Sequence, residues 1–324
     1  MKRLKNTDVT ALGELLVDFT ESGLSPRGNL LLEVNPGGAP CNVLAMLAKL
    51  GRNTAFIGKV GNDRFGRSLR RMAEEVGIDV QNLFFDDRVP TTLAFVHNGP
   101  DGERDFTFYR NPGADVTLRP EEVREELIAD SRIFHFGSLS MTHPGSREAT
   151  KMALRYAKKH GCLVSFDPNL RPPLWENLEE AKAQIAFGLG QCDVLKIADA
   201  ELRWFPGRPD LEEGVRELRS RFGIPLILVT MGRDGSSALY RDLRIEEKAF
   251  LMENTVDTTG AGDTFCGCAL DFLLERGIEN LREEDLREML RFANAAAALV
   301  TTKKGALRVM PSREEAEALL TLRE

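Results

Sequence analysis

The stretch Asp257-Thr258-Thr259-Gly260-Ala261-Gly262-Asp263-Thr264-Phe265 concentrates more chemistry than any other in the chain. Two glycines open an apolar run of helical character, and a carboxylate follows directly. A glycine-rich turn feeding a helix leaves backbone N–H groups unpaired at the positive end of the helix dipole. Phosphate or developing negative charge is held there. A site built only to hold phosphate gains nothing from a carboxylate, because the two repel. Asp263 therefore points to a second task, accepting a proton from a hydroxyl beside the phosphate, and the pairing points to phosphoryl transfer. Read alone, the stretch also suits a capped helix, with Thr258 or Thr259 as cap and Asp263 favourable in the first turn.

Further polar residues fall where strands should end. Asp18 follows the first β segment, Phe166-Asp167-Pro168-Asn169-Leu170-Arg171 follows a later one, and Thr230-Met231-Gly232-Arg233-Asp234-Gly235 another. Gly37-Gly38-Ala39-Pro40-Cys41-Asn42 opens an apolar helix. The segments at 167–169 and 230–235 also suit plain turns, Asp18 a solvated strand end, and Gly37-Gly38 a tight helix entry. Asn42 is different: a buried amide needs a partner, and a polyhydroxylated ligand would supply one. There is no G-x-x-x-x-G-K-[ST] loop and no G-x-G-x-x-G after the first strand, which argues against a P-loop NTPase and a nicotinamide-dependent oxidoreductase. The four histidines and five cysteines give no nucleophile–base pair and no zinc spacing.

These residues need a scaffold, and the chain alternates short β-branched runs with amphipathic ones. Strands are expected at 9–12, 15–19, 54–58, 133–136, 163–167, 194–197 and 226–230. Helices are expected at 39–50, 65–76, 144–160, 178–189, 211–222, 261–276, 285–301 and 313–322. The helix at 39–50 is apolar nearly all round, so it should be buried, with Pro40 tolerated in its first turn. Two hairpins interrupt the alternation, 92–96 with 105–109 around Asn98-Gly99-Pro100-Asp101-Gly102, and 237–241 with 244–248. Repeated βα units imply an α/β fold with a mostly parallel central sheet and helices on both faces. Ligands then bind beyond the carboxyl ends of the strands.

The 324 residues are 42% hydrophobic, ample for a large core, and carry a net charge of −7. That charge argues against nucleic acid or an anionic membrane as partner. No run of ~18 apolar residues suggests a membrane span. Met1-Lys2-Arg3-Leu4-Lys5-Asn6 is basic with no apolar region behind it, so no secretory signal is expected. Scattered, odd-numbered cysteines fit a reducing cytoplasm.

With these pieces in order, the sequence resembles the ribokinase-like (PfkB) carbohydrate kinase family over nearly its whole length. Gly37-Gly38-x-x-x-Asn42, with Phe56-Ile57-Gly58-Lys59-Val60-Gly61-Asn62-Asp63-x-x-Gly66, is similar to that family's N-terminal signature. The stretch at 257–265 is similar to its C-terminal one. Two signatures in the right order are far more specific than either alone. Within the family the resemblance is nearest to fructokinases, carried by segments 11–19, 108–115, 166–175 and 292–296.

The resemblance implies one ribokinase-like domain over 1–324, with a small β-sheet lid built from segments about 15–35 and 92–110. It implies ATP-dependent phosphorylation of a sugar's primary hydroxyl, D-fructose giving fructose 6-phosphate. Asp263 would be the base, and the amides of Gly260, Ala261 and Gly262 the anion hole. Asp18, Gly37, Gly38, Asn42, Phe108, Arg110 and Arg171 match sugar-side positions. Two arginines would also suit a carboxylate, so 2-keto-3-deoxygluconate is the alternative substrate. Phe108 stands where acid-sugar kinases tend to carry tyrosine, which tilts the reading to fructose. Asn169, Thr230, Gly232, Gly235 and Asn294 match the ATP side, Asn294 facing adenine or else closing a tight helix contact. Mg²⁺ is implied through Glu201 and water. The family often has Asn-x-x-Glu there, and Ala198 replaces the asparagine. K⁺ is implied beside the anion hole, at Asp257, Thr259, Val300, Lys303 and Gly305. The lid sheet implies a homodimer, its Phe95, Phe106 and Phe108 offering apolar surface. A different class, a non-catalytic sugar- or nucleotide-binding regulator, is disfavoured by the intact Asp263 and glycines.

Overall fold

The computed structural model describes residues 5–98, 104–208 and 210–322. The strands are β1 (Thr7–Leu12), β2 (Leu16–Leu24), β3 (Leu30–Gly37), β4 (Thr54–Gly61), β5 (Ile78–Asp86), β6 (Leu93–Asn98), β7 (Arg104–Tyr109), β8 (Ser131–Gly137), β9 (Leu163–Asp167), β10 (Val194–Ala198), β11 (Leu226–Thr230), β12 (Ser236–Tyr240) and β13 (Leu243–Glu247). The helices are α1 (Ala39–Lys49), α2 (Arg64–Glu75), α3 (Glu125–Ala129), α4 (Pro144–Lys159), α5 (Leu178–Leu189), α6 (Asp199–Trp204), α7 (Leu211–Phe222), α8 (Ala261–Arg276), α9 (Glu283–Val300) and α10 (Arg313–Thr321).

Among the described residues, nine strands form the main sheet in the order β13-β12-β11-β10-β9-β8-β1-β4-β5. From β11 to β5 every pairing is parallel, and β12 and β13 close the far edge as an antiparallel hairpin. Parallel strands are covered on both faces, so they read as apolar runs whose alternate residues feed two cores. In β11, Leu226 and Leu228 enter a core shared with α1, α8 and α9, while Ile227 and Val229 enter one shared with α4, α5 and α7. β11, β10, β9 and β8 end side by side, at Thr230, Ala198, Asp167 and Gly137, and β1 follows beyond β8, ending at Leu12.

A second sheet, β3-β2-β6-β7, stands apart. β2 runs parallel to β6, and the other two pairings are antiparallel. Phe19 stacks on Phe95 with ring centroids 4.9 Å apart. Leu30, Leu31, Leu32 and Val34 of the edge strand β3 are exposed. The expected hairpin is present, its connecting residues 99–102 lying outside those described.

Asp18 follows β1 and falls within the strand expected at 15–19, but it is not at that strand's end. It lies inside β2, opposite Asn35 of β3 and Ala94 of β6. β5 was not expected from pattern, because Asp79, Gln81 and Asn82 break its apolar run; as an edge strand it needs only part of its length buried. All five cysteines are free and buried. Among the described residues, no helix is long and apolar enough to cross a membrane.

Candidate active site

A cavity of about 500 Å³ opens where the strand ends of the main sheet face the small sheet. The α8 turn brings Thr259, Gly260, Gly262 and Asp263 to its wall, and β2 and α1 bring Asp18 and Asn42. α8 begins at Gly260 with φ 77° and no side-chain cap, so neither Thr258 nor Thr259 caps it. A Cβ on Gly260 would stand 2.5 Å from the Ala306 Cβ, so glycine is required here by both backbone and packing. The Thr264 N–H closes the first helical bond, to the Gly260 carbonyl at 2.7 Å. The Ala261 N–H, expected in the anion hole, instead donates to the Thr258 carbonyl at 3.3 Å. The Gly260 and Gly262 amides have no backbone partner among the described residues and remain available to an anion.

Asp263 is half-buried, and the Asn42 Nδ2 donates to its Oδ2 at 2.8 Å. Burial pushes its carboxyl up to about 6, the Asn42 bond and the charges of Lys196 and Arg171 pull against this, and the nearby Asp167 carboxylate adds to it. A base tuned toward neutrality takes a proton and releases it again. The Asn42 Oδ1 is buried with no partner among the described residues, the unmet acceptor that a hydroxylated ligand would satisfy.

Beneath the turn that opens α8 lies Lys196. Its ammonium donates to the Asp167 Oδ2 at 3.0 Å, and a Cβ on Gly262 would be 3.0 Å from its Nζ. Burial opposes its charge, but the carboxylates of Asp167, Glu201 and Asp263 outweigh burial and hold it firmly protonated. Glu201 takes the Leu170 N–H at 2.6 Å and the Ala198 N–H at 2.9 Å, one on each oxygen. It thereby joins the ends of β9 and β10 and opens α6 without any side chain at 198. Asn169 sits in the same loop with φ 42°, its N–H bonded to Asp167.

Other expected residues are placed differently. Arg110 does not line this cavity. Its guanidinium is nearly fully buried, with Nε donating to Asp115 at 2.8 Å and the remaining nitrogens to Thr142 and the Leu139 carbonyl. It lines an adjoining cleft of about 580 Å³, which meets the first at Phe108. Arg171 does reach the cavity wall, its guanidinium 5.4 Å from the Phe106 ring centroid. Asn294 is spent inside the protein: its Oδ1 accepts from Ser236, and its Nδ2 donates to the carbonyls of Glu247 and Lys248. Gly235 is pressed against the Glu247 carbonyl, so its small size serves the chain's own backbone. Gly232, at φ 56°, faces open space. Asp257 ties two loops, accepting the Thr259 N–H at 2.7 Å and the Gly305 N–H at 3.0 Å; Lys303 bonds the Val300 carbonyl in the second loop. Among the described residues, no cluster of three His, Cys, Asp or Glu side chains could hold a metal alone.

Residues 6–313 match the model for the pfkB family of carbohydrate kinases. The chain belongs to this family. It is 40% identical over 314 residues to fructokinase-1 of Zea mays, covering 96% of this chain and 97% of that one. Among solved structures, an ATP-bound fructokinase from Xylella fastidiosa superposes with a TM-score of 0.89 at 32% identity, over 99% of both chains. A double mutant of the Vibrio cholerae fructokinase, bound to fructose, ADP and potassium, gives 0.85 at 30% identity, over 98% of this chain and 99% of that one.

Two cavity residues of this carbohydrate kinase escaped sequence reasoning. Lys196 interrupts the apolar strand Val194-Leu195-Lys196-Ile197, and a lysine in a central strand must find an acid. Glu14 stands between Gly13 and two leucines and is 3% exposed, with burial pushing its carboxyl up to about 7. Both were visible as charges in apolar runs.

Proposed function

We propose that the protein is an ATP-dependent fructokinase, moving the γ-phosphoryl group of ATP to the primary hydroxyl of D-fructose to give fructose 6-phosphate and ADP. The observation that carries this reading is the Asn42–Asp263 pair set beside the free amides of α8, in one cavity with Asp18 and Gly38. Asp18, Gly38 and Asn42 hold the sugar, and Asp263 takes the proton as the hydroxyl oxygen attacks phosphorus. The Gly260 and Gly262 amides, over the Lys196 charge, balance the negative charge of the transferring group. The proton leaves Asp263 to solvent after product departs.

Mg²⁺ supplies charge neutralisation on the ATP phosphates when bound. Glu201 fits a water-mediated contact, since each of its oxygens accepts one N–H and keeps a lone pair. A K⁺ ion would sit among the backbone carbonyls at 257, 259, 300, 303 and 305, where Asp257 braces both loops. Thr230 and Gly232 would receive the nucleotide at the end of β11.

The 2-keto-3-deoxygluconate reading needs a cationic pocket for a carboxylate. Arg110 is committed to Asp115, which leaves Arg171 as the arginine on the cavity wall and favours a neutral sugar. The chain works as one domain in which the small sheet is a lid excluding water during transfer. The exposed leucines of β3 pair two such lids in a homodimer, and the five free buried thiols suit the cytoplasm. A coupled assay with ATP against fructose, 2-keto-3-deoxygluconate, ribose and adenosine tests the reading. Fructose should have the highest kcat/KM. Binding without turnover of any sugar would leave a regulator instead.

A further inference from the structure

Glu14 lies between β1 and β2, is 3% exposed, and lines the cavity. Its Oε1 accepts the Ala39 N–H at 2.9 Å. Ala39 is the first residue of α1, and the preceding Gly38 offers no side chain to cap it. Gly38 cannot be replaced by a capping residue either. Its φ is 122°, and a Cβ there would collide with the Glu14 carbonyl oxygen. Glu14 thus caps α1 from another element. One turn further along α1, Asn42 donates to Asp263. Arg110 and Asp115, buried as a pair, are the charged groups acting on Glu14 from the β7 side, and Cys41 is its neighbour on α1. The Glu14 Oε2 is buried without a partner among the described residues, a costly arrangement for a residue serving only stability.

We propose that Glu14 is a positioning residue for phosphoryl acceptance: by capping α1 at Ala39 it sets where Asn42 meets the sugar and Asp263. The inference rests on the sugar-kinase reading. The link is mechanical. A helix released at its first N–H frays through its first turn, and Asn42 is in that turn. A misplacement of about 1 Å in a reacting constellation costs about 100-fold. ATP, held at the other end of the cavity by the loop after β11 and the α8 turn, should not sense the change.

The test uses the full-length protein and two variants. Glu14→Asp withdraws the acceptor from Ala39 by one methylene but keeps the charge. Glu14→Gln keeps the acceptor and removes the charge. Glu14→Asp should lower kcat/KM for the sugar at least tenfold with KM for ATP within twofold of wild type. It should also raise the acid limb of the sugar kcat/KM profile, because the Asn42 N–H no longer holds the Asp263 carboxyl down. The other groups facing Asp263, namely Asp167 from β9, Lys196 from β10 and Arg171 beyond β9, are untouched. Glu14→Gln should retain at least a third of the wild-type sugar kcat/KM and the wild-type limb. Amide hydrogen exchange at 39–42 should rise in Glu14→Asp and not in Glu14→Gln. Equal losses in both variants, wild-type sugar kinetics in Glu14→Asp, or a matching loss for ATP would overturn the proposal. So would failure of Glu14→Asp to fold while Glu14→Gln folds. If wild type turns over no sugar, the kinase reading falls, and exchange at 39–42 still decides the capping role.

Discussion

Replacing Asp263 by asparagine separates what the carboxylate does for catalysis from what it costs the fold. The new amide oxygen can still accept from Asn42, whose Nδ2 now donates to Oδ2 at 2.8 Å, so the local geometry should survive. The proton acceptor is lost. A positioned general base is worth about 10²–10⁴ in rate, or about 3–5 kcal/mol of barrier. Asp263→Asn should therefore lower kcat by that factor while KM for sugar and ATP changes little. The wild-type kcat/KM profile should fall on the acid side near pH 6, where the base protonates, and the residual activity of the variant should lack that limb. Stability should move the other way. A carboxyl raised in the folded state binds protons more tightly there than in the unfolded chain, so its penalty is absent below the unfolded value and complete above about 6. At full burial the gap is worth about 3 kcal/mol, and for a half-buried group beside a water-filled cavity about 1–2 kcal/mol. The variant should be more stable than wild type at pH 8 by that amount, and equal to it near pH 4. Steady-state kinetics across pH and urea denaturation at both pH values are the assays. A variant within tenfold of wild-type kcat, or one less stable at pH 8, would refute the base assignment.

Gly260→Ala forces a left-handed φ on alanine and sets its Cβ 2.5 Å from that of Ala306. It should cost about 2–4 kcal/mol in denaturation and most of the turnover. Lys196→Met leaves Asp167 and Glu201 buried without their shared cation. A loss of about 3–5 kcal/mol is expected by denaturant titration, and a loss below 1 kcal/mol would show that the ammonium is not the counter-charge. Asn294→Ala strands Ser236 and two carbonyls, so denaturation should reveal a loss of about 1–3 kcal/mol. KM for ATP should stay within about threefold, below the 1 kcal/mol that one lost hydrogen bond to adenine would bring; a large rise in KM for ATP would restore an adenine contact.

The parallel sheet and its helices were legible because strands covered on both faces are apolar runs and their crossover helices are amphipathic. The α8 turn was legible because few structures require glycine, glycine and aspartate in that order at a helix start. Side-chain allegiance was not legible. Arg110 and Asn294 are polar residues at family positions, yet each is consumed by partners that only the folded chain supplies: Asp115 for one, Ser236 and the β13 exit for the other. The strand edges β3 and β5 were obscured by Pro36, Asn35 and Asn82, which edge strands tolerate. Glu201 shows the reverse. The missing asparagine at 198 looked like a gap in metal handling, but the carboxylate itself caps α6 through the Ala198 N–H.

The buried thiols give this enzyme an internal reporter. Cys266 and Cys268 lie on α8 in the second and third turns after Gly260, both 1% exposed, and burial pushes both far from the reactive thiolate. An alkylating reagent reaches Cys266, which faces Ser165 of β9, only when α8 lifts from the sheet or the whole chain opens, whereas Cys268 lines a cleft of about 420 Å³ between α8, α9 and α10. The Cys266 labelling rate therefore measures how often α8 departs, without any turnover, and ligands that hold α8 in place should slow it in proportion to their occupancy.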